Sequence, residues 1–309
     1  MPSRPSQRWP ADRRRTEQRN PASQNLDRLS TAQIVQLMNR EDRTVAAAVR
    51  RELPAIAQAV DAIVGAIENG GRLFYVGAGS SGRMGVLDAA EIAPTFGTSP
   101  GLVRALIAGG RRAVTSAVEG AEDSVRNGEE DLREQRFGGR DIIVGIAASG
   151  TTPYVLGALQ YARKKKATVI ALTSNRRMPI TRLADIVIAP EVGAEVVTGS
   201  TRLKAGTSQK LVLNMLSTAA MVRLGHVYEN LMIDAVLTNK KLEDRALRIL
   251  VAASGKSMSA GRRALRQAGH DIRVALVILK RGISAVAARK LVAAAHGNLR
   301  AALGESRHG

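Results

Sequence analysis

Leu73-Phe-Tyr-Val-Gly-Ala-Gly-Ser-Ser-Gly-Arg-Met-Gly-Val-Leu-Asp-Ala-Ala-Glu91 is the stretch on which the fold turns. Its first four residues form an apolar run that reads as a buried strand, and the glycine- and serine-rich turn leads into apolar positions at Met84, Val86, Leu87 and Ala90 with helical spacing. A strand, a tight turn and a helix in that order leave free backbone N–H groups at the helix start, with Ser80 or Ser81 as the expected N-cap. Such a start attracts anions. The helix is expected to end near Glu91, because Pro94 disfavours helical geometry before it and Gly97 follows. Glu91 then lies two to three turns from the anion site.

Outward from this stretch the chain alternates short apolar strands with helical segments. Strands are expected at 103–108, 141–147, 167–172 and 185–189, and helices at 112–122 and 153–165. Alternation of this kind implies parallel strands joined by right-handed crossovers, with ligands above the carboxyl ends of the strands. A second cradle, Ile146-Ala-Ala-Ser-Gly-Thr-Thr-Pro153, again follows a strand and opens a helix. Each turn taken alone is equally a capped helix start; two of them suggest jaws around one phosphate ester. A third segment, from Gly193 to Lys210, is dense in hydroxyl groups and carries Arg202, Lys204 and Lys210 before an apolar helix at 211–222. Hydroxyls and cations at a helix start suit an oxyanion or a polyol.

The ends of the chain differ from its middle. The formal net charge is +19, of which residues 1–15 hold +4 and residues 245–309 hold +11, so the centre is close to balanced. Residues 1–15 are expected to be a disordered basic tail, 16–55 an N-terminal helical segment with helices from about Ser30 and from about Arg43, and 56–225 the strand-and-helix domain. Residues 226–309 are expected to be helical throughout, with a small domain punctuated by Gly255, Gly269 and Gly282. No aromatic residue follows Arg245 to stack on bases, so nucleic acid is not expected as a partner. The chain has no cysteine, and its histidines (His226, His270, His296 and His308) lack ligand spacing, so no metal site is expected. There is no apolar run long enough for a membrane span, no secretory leader is expected at this basic, apolar-poor start, and a cytoplasmic protein is expected.

These motifs closely resemble the N-acetylmuramic acid 6-phosphate etherases, relatives of glucokinase regulatory protein within the sugar isomerase (SIS) fold. The resemblance is carried by Thr16 to Pro21, Gly77 to Gly97, Ala117 to Asp123, Gly145 to Tyr154, Gly193 to Lys210 and Asn230 to Asp234. It implies an α/β protein: a three-layer parallel-sheet, flavodoxin-like domain, N-terminal helices, and a small all-helical C-terminal domain similar to ubiquitin-associated folds. It also implies a homodimer with sites near the subunit contact, a sugar phosphate substrate and no cofactor. Two glutamates do the family's chemistry, and the motifs place them on Glu91 and Glu122. Ser80, Ser81, Arg83, Ser149, Thr151, Thr152, Ser200 and Thr201 are the candidate substrate contacts, with Lys204 as a charge partner. Arg83 is open to two roles, binding the lactyl carboxylate or pairing with an acid such as Asp88. The sequence departs from the family at Ser80 (usually Thr), Ala93 (usually Pro) and Thr151 (commonly Arg or Asn).

The implied reaction needs two carboxyl groups. One, assigned to Glu122, removes the C2 proton of the open-chain sugar, and the other, assigned to Glu91, protonates the departing D-lactate at C3. Water then adds, giving N-acetylglucosamine 6-phosphate. General acid–base catalysis contributes about 10²–10⁴-fold per group. Three rival readings accompany this one. A non-catalytic sugar-phosphate sensor would have no need of both glutamates. An aldose–ketose isomerase would release no lactate. A dinucleotide enzyme would want an acid after the second strand, where Gly109-Gly-Arg-Arg112 stands instead.

Overall fold

The computed structural model describes residues 12–234, 240–295 and 297–305. Two compact units divide the chain, one within Met1–Ala89 and Gly101–Leu216, the other within Ala90–Pro100 and Ser217–Gly309. Residues 1–11 of the expected tail lie outside the described residues.

The first unit is built on five parallel strands: β1 (Leu73–Gly77), β2 (Val103–Ile107), β3 (Ile142–Ile146), β4 (Thr168–Leu172) and β5 (Ile186–Ile188). Their order is β2-β1-β3-β4-β5, with Gly77 aligned to Ile107 on one side and Ile146 on the other. β1 and β3 are buried along their whole length, which is why they read as unbroken apolar runs. Helices cover both faces. On one, α2 (Leu53–Glu68), α3 (Gly79–Phe96) and α6 (Lys204–Arg223) meet the Tyr75 side of the sheet. There the buried Asp88 of α3 accepts hydrogen bonds from Tyr75 Oη at 2.9 Å and from Asn214 Nδ2 of α6 at 2.7 Å.

On the other face, α4 (Val125–Glu134) and α5 (Pro153–Lys164) pack over Phe74, Val76, Ile143 and Val169. Two glycines let these helices approach. A Cβ on Gly157 would lie 1.9 Å from the Val125 carbonyl oxygen, and one on Gly128 2.0 Å from that of Tyr154. Tyr154 also donates its hydroxyl to Asp131 of α4 at 2.5 Å. Burial and the neighbouring carboxylate together push that phenol's pKa well above its ordinary value.

Several local expectations are corrected. A single helix, α1 (Thr31–Arg50), opened by a Ser30–Gln33 capping box, replaces the two expected there. α3 begins at Gly79, which puts Ser80 and Ser81 in its first turn instead of at the cap, and it runs past Pro94 to Phe96. The helix expected at 112–122 is instead two short 3-10 turns, Gly110–Val114 and Ala121–Asp123, entered through Gly109 and Gly120 at φ of 85° and 70°. α4 was not anticipated, because a charged segment with an internal glycine buries only Gly128 and Leu132. Part of the expected tail is ordered: Arg14 and Arg15 lead into a 3-10 turn at Arg15–Glu17.

In the second unit, residues expected to be helical form a hairpin, β6 (Val227–Tyr228) with β7 (Leu231–Met232). Residues 235–239 of that segment lie outside the described residues. Five helices follow: α7 (Lys240–Ser254), α8 (Met258–Gln267), α9 (Ile272–Arg281), α10 (Ala285–Ala294) and α11 (Leu299–Leu303). They enclose Leu247, Leu250, Leu265 and Leu276, and Ser257, Asp271, Ser284 and Asn298 cap α8 to α11. No helix among the described residues is long and apolar enough to cross a membrane.

Candidate active site

Strand order reverses at β1, whose neighbours β2 and β3 continue the chain in opposite directions across the sheet. Their carboxyl ends therefore part there and leave a crevice, the usual ligand position in open parallel sheets. A cleft of about 360 Å³ occupies it. The β1 turn contributes Ala78, Gly79, Ser80 and Ser81, and the β3 turn contributes Ala148, Ser149, Thr151, Thr152 and Pro153. Glu122, Asp123, Thr201, Arg14 and Glu17 complete the lining.

The β1 turn is tight for a steric reason. A Cβ on Gly82 would meet Ile107 Cγ1 at 2.6 Å, and one on Gly77 would meet the Gly82 nitrogen at 2.7 Å, so α3 starts directly against the strand end. Ser81 Oγ accepts a hydrogen bond from Gln209 Nε2 of α6 at 3.0 Å. At the β3 turn, Ser149 Oγ accepts from the Thr151 nitrogen at 3.3 Å and from Thr151 Oγ1 at 3.1 Å. Ser81 and Ser149 thus each accept from a protein donor, which leaves the hydroxyl proton of each available to a ligand acceptor. Thr152 stands at the N-cap of α5, but its side chain makes no capping hydrogen bond.

Glu122 sits on the Ala121–Asp123 turn, exposed, and no hydrogen bond or ion pair engages its carboxylate among the described residues. A smaller cavity of about 180 Å³ shares Ala78, Gly79 and Glu122 with the cleft and adds Arg83. Arg83 does not pair with Asp88. Its Nε donates to the Val114 carbonyl at 3.0 Å and its Nη2 to that of Ser116 at 3.1 Å, which ties down the loop leading to Glu122.

Other candidates are placed elsewhere. Lys204 is buried and pairs with Glu41 at 2.8 Å, outside the cleft lining, so it is not a charge partner there. The start of α6 is also occupied: Glu195, fully buried, accepts from the backbone nitrogens of Lys204 and Ala205 at 3.0 and 2.9 Å. Burial pushes the Glu195 carboxyl above its ordinary pKa, against the pull of those two N–H groups and Lys204. The protein's own carboxylate thus fills the anion position expected from the 193–210 segment. Ser200 is half-buried and does not line the cleft, whereas Thr201 does. Glu91 is exposed on α3, ten residues beyond Ser81, and is not among the lining residues.

Arg14, Glu17 and Asp123 also line the cleft, though the sequence motifs do not single them out. The motif beginning at Thr16 was the available signal, since Asn175 stitches it to the cleft. Its Oδ1 accepts from the Arg15 nitrogen at 2.7 Å, and its Nδ2 lies 3.1 Å from Thr16 Oγ1 and 2.8 Å from the Ala148 carbonyl.

Comparison with known proteins agrees with this architecture. The glucokinase regulatory protein N-terminal SIS domain matches residues 55–163, and the SIS domain matches residues 128–219. N-acetylmuramic acid 6-phosphate etherases of Yersinia pestis (strain Pestoides F) and Yersinia pseudotuberculosis (serotype O:1b, strain IP 31758) are each 53% identical over 288 residues, covering 93% of this chain and 98% of theirs. A phosphoheptose isomerase from Francisella tularensis superposes with a TM-score of 0.52 at 21% identity, over 63% of this chain and 100% of its own, a likeness of fold.

Proposed function

Because the chain belongs to the N-acetylmuramic acid 6-phosphate etherase family, we propose that it cleaves the D-lactyl ether of that sugar phosphate by elimination followed by hydration, with Glu122 as the base. The enzyme is a carbon–oxygen lyase. Beyond family membership, one observation carries the assignment of the base. Glu122, its carboxylate unengaged among the described residues, lines a cleft whose other walls include two hydroxyl-bearing turns at helix starts. Those turns suit the 6-phosphate: Ser80, Ser81, Ser149 and Thr152, with Thr201 beside them, supply hydroxyls, Thr151 holds Ser149 through its own hydroxyl, and the starts of α3 and α5 supply N–H groups.

In the open-chain sugar the C1 aldehyde acidifies the C2 proton. Glu122 takes that proton, the C3–O bond breaks with its electron pair going to the lactyl oxygen, and an acid delivers a proton there. Water then adds its oxygen at C3 of the unsaturated aldehyde, and a proton returns to C2, giving N-acetylglucosamine 6-phosphate and D-lactate. We assign the acid to Glu91. The family resemblance that carries this assignment goes with a homodimer in which subunit contact completes the site. Arg83, holding the carbonyls of Val114 and Ser116, serves as a positioning residue for the Glu122 loop. The same reading places the enzyme in the cytoplasm, and it gives α7 to α11 no part in the chemistry.

The test is product analysis in ¹⁸O-labelled water. The proposal expects equimolar D-lactate and label at C3 of N-acetylglucosamine 6-phosphate. Label in the lactate with none at C3 would refute elimination, and isomerisation without lactate would refute the etherase reading.

A further inference from the structure

Charge is unevenly spread in the cleft. Its lining holds three carboxylates, Glu17, Glu122 and Asp123, but one cation, Arg14. The substrate assigned above brings two anions, a phosphate and a lactyl carboxylate, and the present inference rests on that assignment. Serine, threonine and helix-start N–H groups suit the phosphate. The carboxylate then needs a partner. Arg83 commits Nε and Nη2 to loop carbonyls and does not line the main cleft.

Arg14 is already shaped around a carboxylate. Its Nε lies 3.0 Å from Asp12 Oδ1 and its Nη2 2.6 Å from Asp12 Oδ2, a two-point grip that any carboxylate fits. The pair is solvent-accessible, with side-chain exposures of 36% for Arg14 and 28% for Asp12, so the ion pair is screened and exchangeable. The backbone beside it is fixed. Arg15 donates to the buried Asn175, and Asn175 in turn holds Thr16 and the Ala148 carbonyl of the β3 turn. The guanidinium is therefore presented from an anchored strap with a replaceable partner.

We propose that Arg14 receives the D-lactyl carboxylate of the substrate, with Asp12 occupying its guanidinium until the substrate displaces it. Arg14 would then set the preference for a sugar phosphate bearing the lactyl ether over one without it.

Steady-state kinetics on the full chain tests this. Arg14→Met should raise KM for N-acetylmuramic acid 6-phosphate about 10- to 100-fold, the range for a charge-assisted hydrogen-bonded pair, with kcat changed little. Competitive inhibition by N-acetylglucosamine 6-phosphate, which has the phosphate but no lactyl group, should be unchanged, and this also shows the variant to be folded. Arg14→Lys should recover only part of the loss, because it restores charge without the fork. Asp12→Asn should lower KM. An unchanged KM in Arg14→Met, or an equal loss of affinity for N-acetylglucosamine 6-phosphate, would overturn the proposal while the etherase reading stands. Absence of turnover in the unaltered enzyme would strike the etherase reading itself, and the proposal with it.

Discussion

Gln209, almost fully buried on α6, donates to Ser81 Oγ at 3.0 Å, so a residue in the protein interior sets the direction of a hydroxyl in the cleft. The other end of the same amide, Oε1, has no hydrogen-bond partner among the described residues. Gln209→Met should therefore cost little stability, since it removes an unsatisfied acceptor along with the donor. It should nevertheless weaken substrate binding by about 0.5–1.5 kcal/mol through loss of Ser81 orientation. KM measured beside a urea unfolding curve checks this. Equal damage to both would reduce Gln209 to a packing residue.

Glu195 gives a second test, at the start of α6. Its two carboxylate oxygens take the backbone N–H groups of Lys204 and Ala205 inside the protein. Glu195→Gln keeps the shape but turns an NH₂ group toward one of those donors, which should destabilise the first unit by about 1–3 kcal/mol. Urea unfolding of that unit is the measurement.

Close approach of α4 and α5 predicts a contrast between glycines. Gly157→Ala places a methyl 1.9 Å from a carbonyl oxygen and should destabilise by more than about 2 kcal/mol. Gly65→Ala, inside α2 with nothing within 4 Å of the new Cβ, should stabilise by about 0.4–1 kcal/mol. Melting temperatures of the two variants should move in opposite directions.

The helical unit carries a pH dependence at His226. Its Nδ1 lies 2.7 Å from Asp234, yet that carboxylate is already neutralised by Arg273. Burial first, and then the Arg273 charge, hold the imidazole below its ordinary value of 6.5. The unfolded chain therefore binds the proton more readily. The stability contributed is complete above pH 6.5 and is lost as pH falls through the lowered folded value. His226→Asn should flatten this decline in a pH series of unfolding midpoints for that unit.

Much of the fold is legible because β1, β3 and nearly all of β4 are short and buried on both faces. Leu73–Val76 and the run at 142–146 needed only composition and punctuation by glycine. α4 was invisible because its stability comes from glycine-mediated contact with α5 instead of an apolar stripe. The hairpin at Val227–Met232 is too short to show a period. In the site, both cradle turns were readable from their position after strands. Lys204 is not resolved by sequence, because a lysine at a helix start looks the same whether it faces a ligand or, as here, Glu41. Arg14 was lost in a tail whose composition suggested disorder, although Asn175, 161 positions away, fixes the strap that carries it.

The central claim is that the Glu122 carboxylate abstracts the C2 proton, and solvent deuterium incorporation tests it most directly. In heavy water the unaltered enzyme should place deuterium at C2 of the sugar phosphate, and Glu122→Gln should abolish that incorporation while still binding N-acetylglucosamine 6-phosphate. Deuterium arriving at C2 at an undiminished rate in Glu122→Gln would contradict the account.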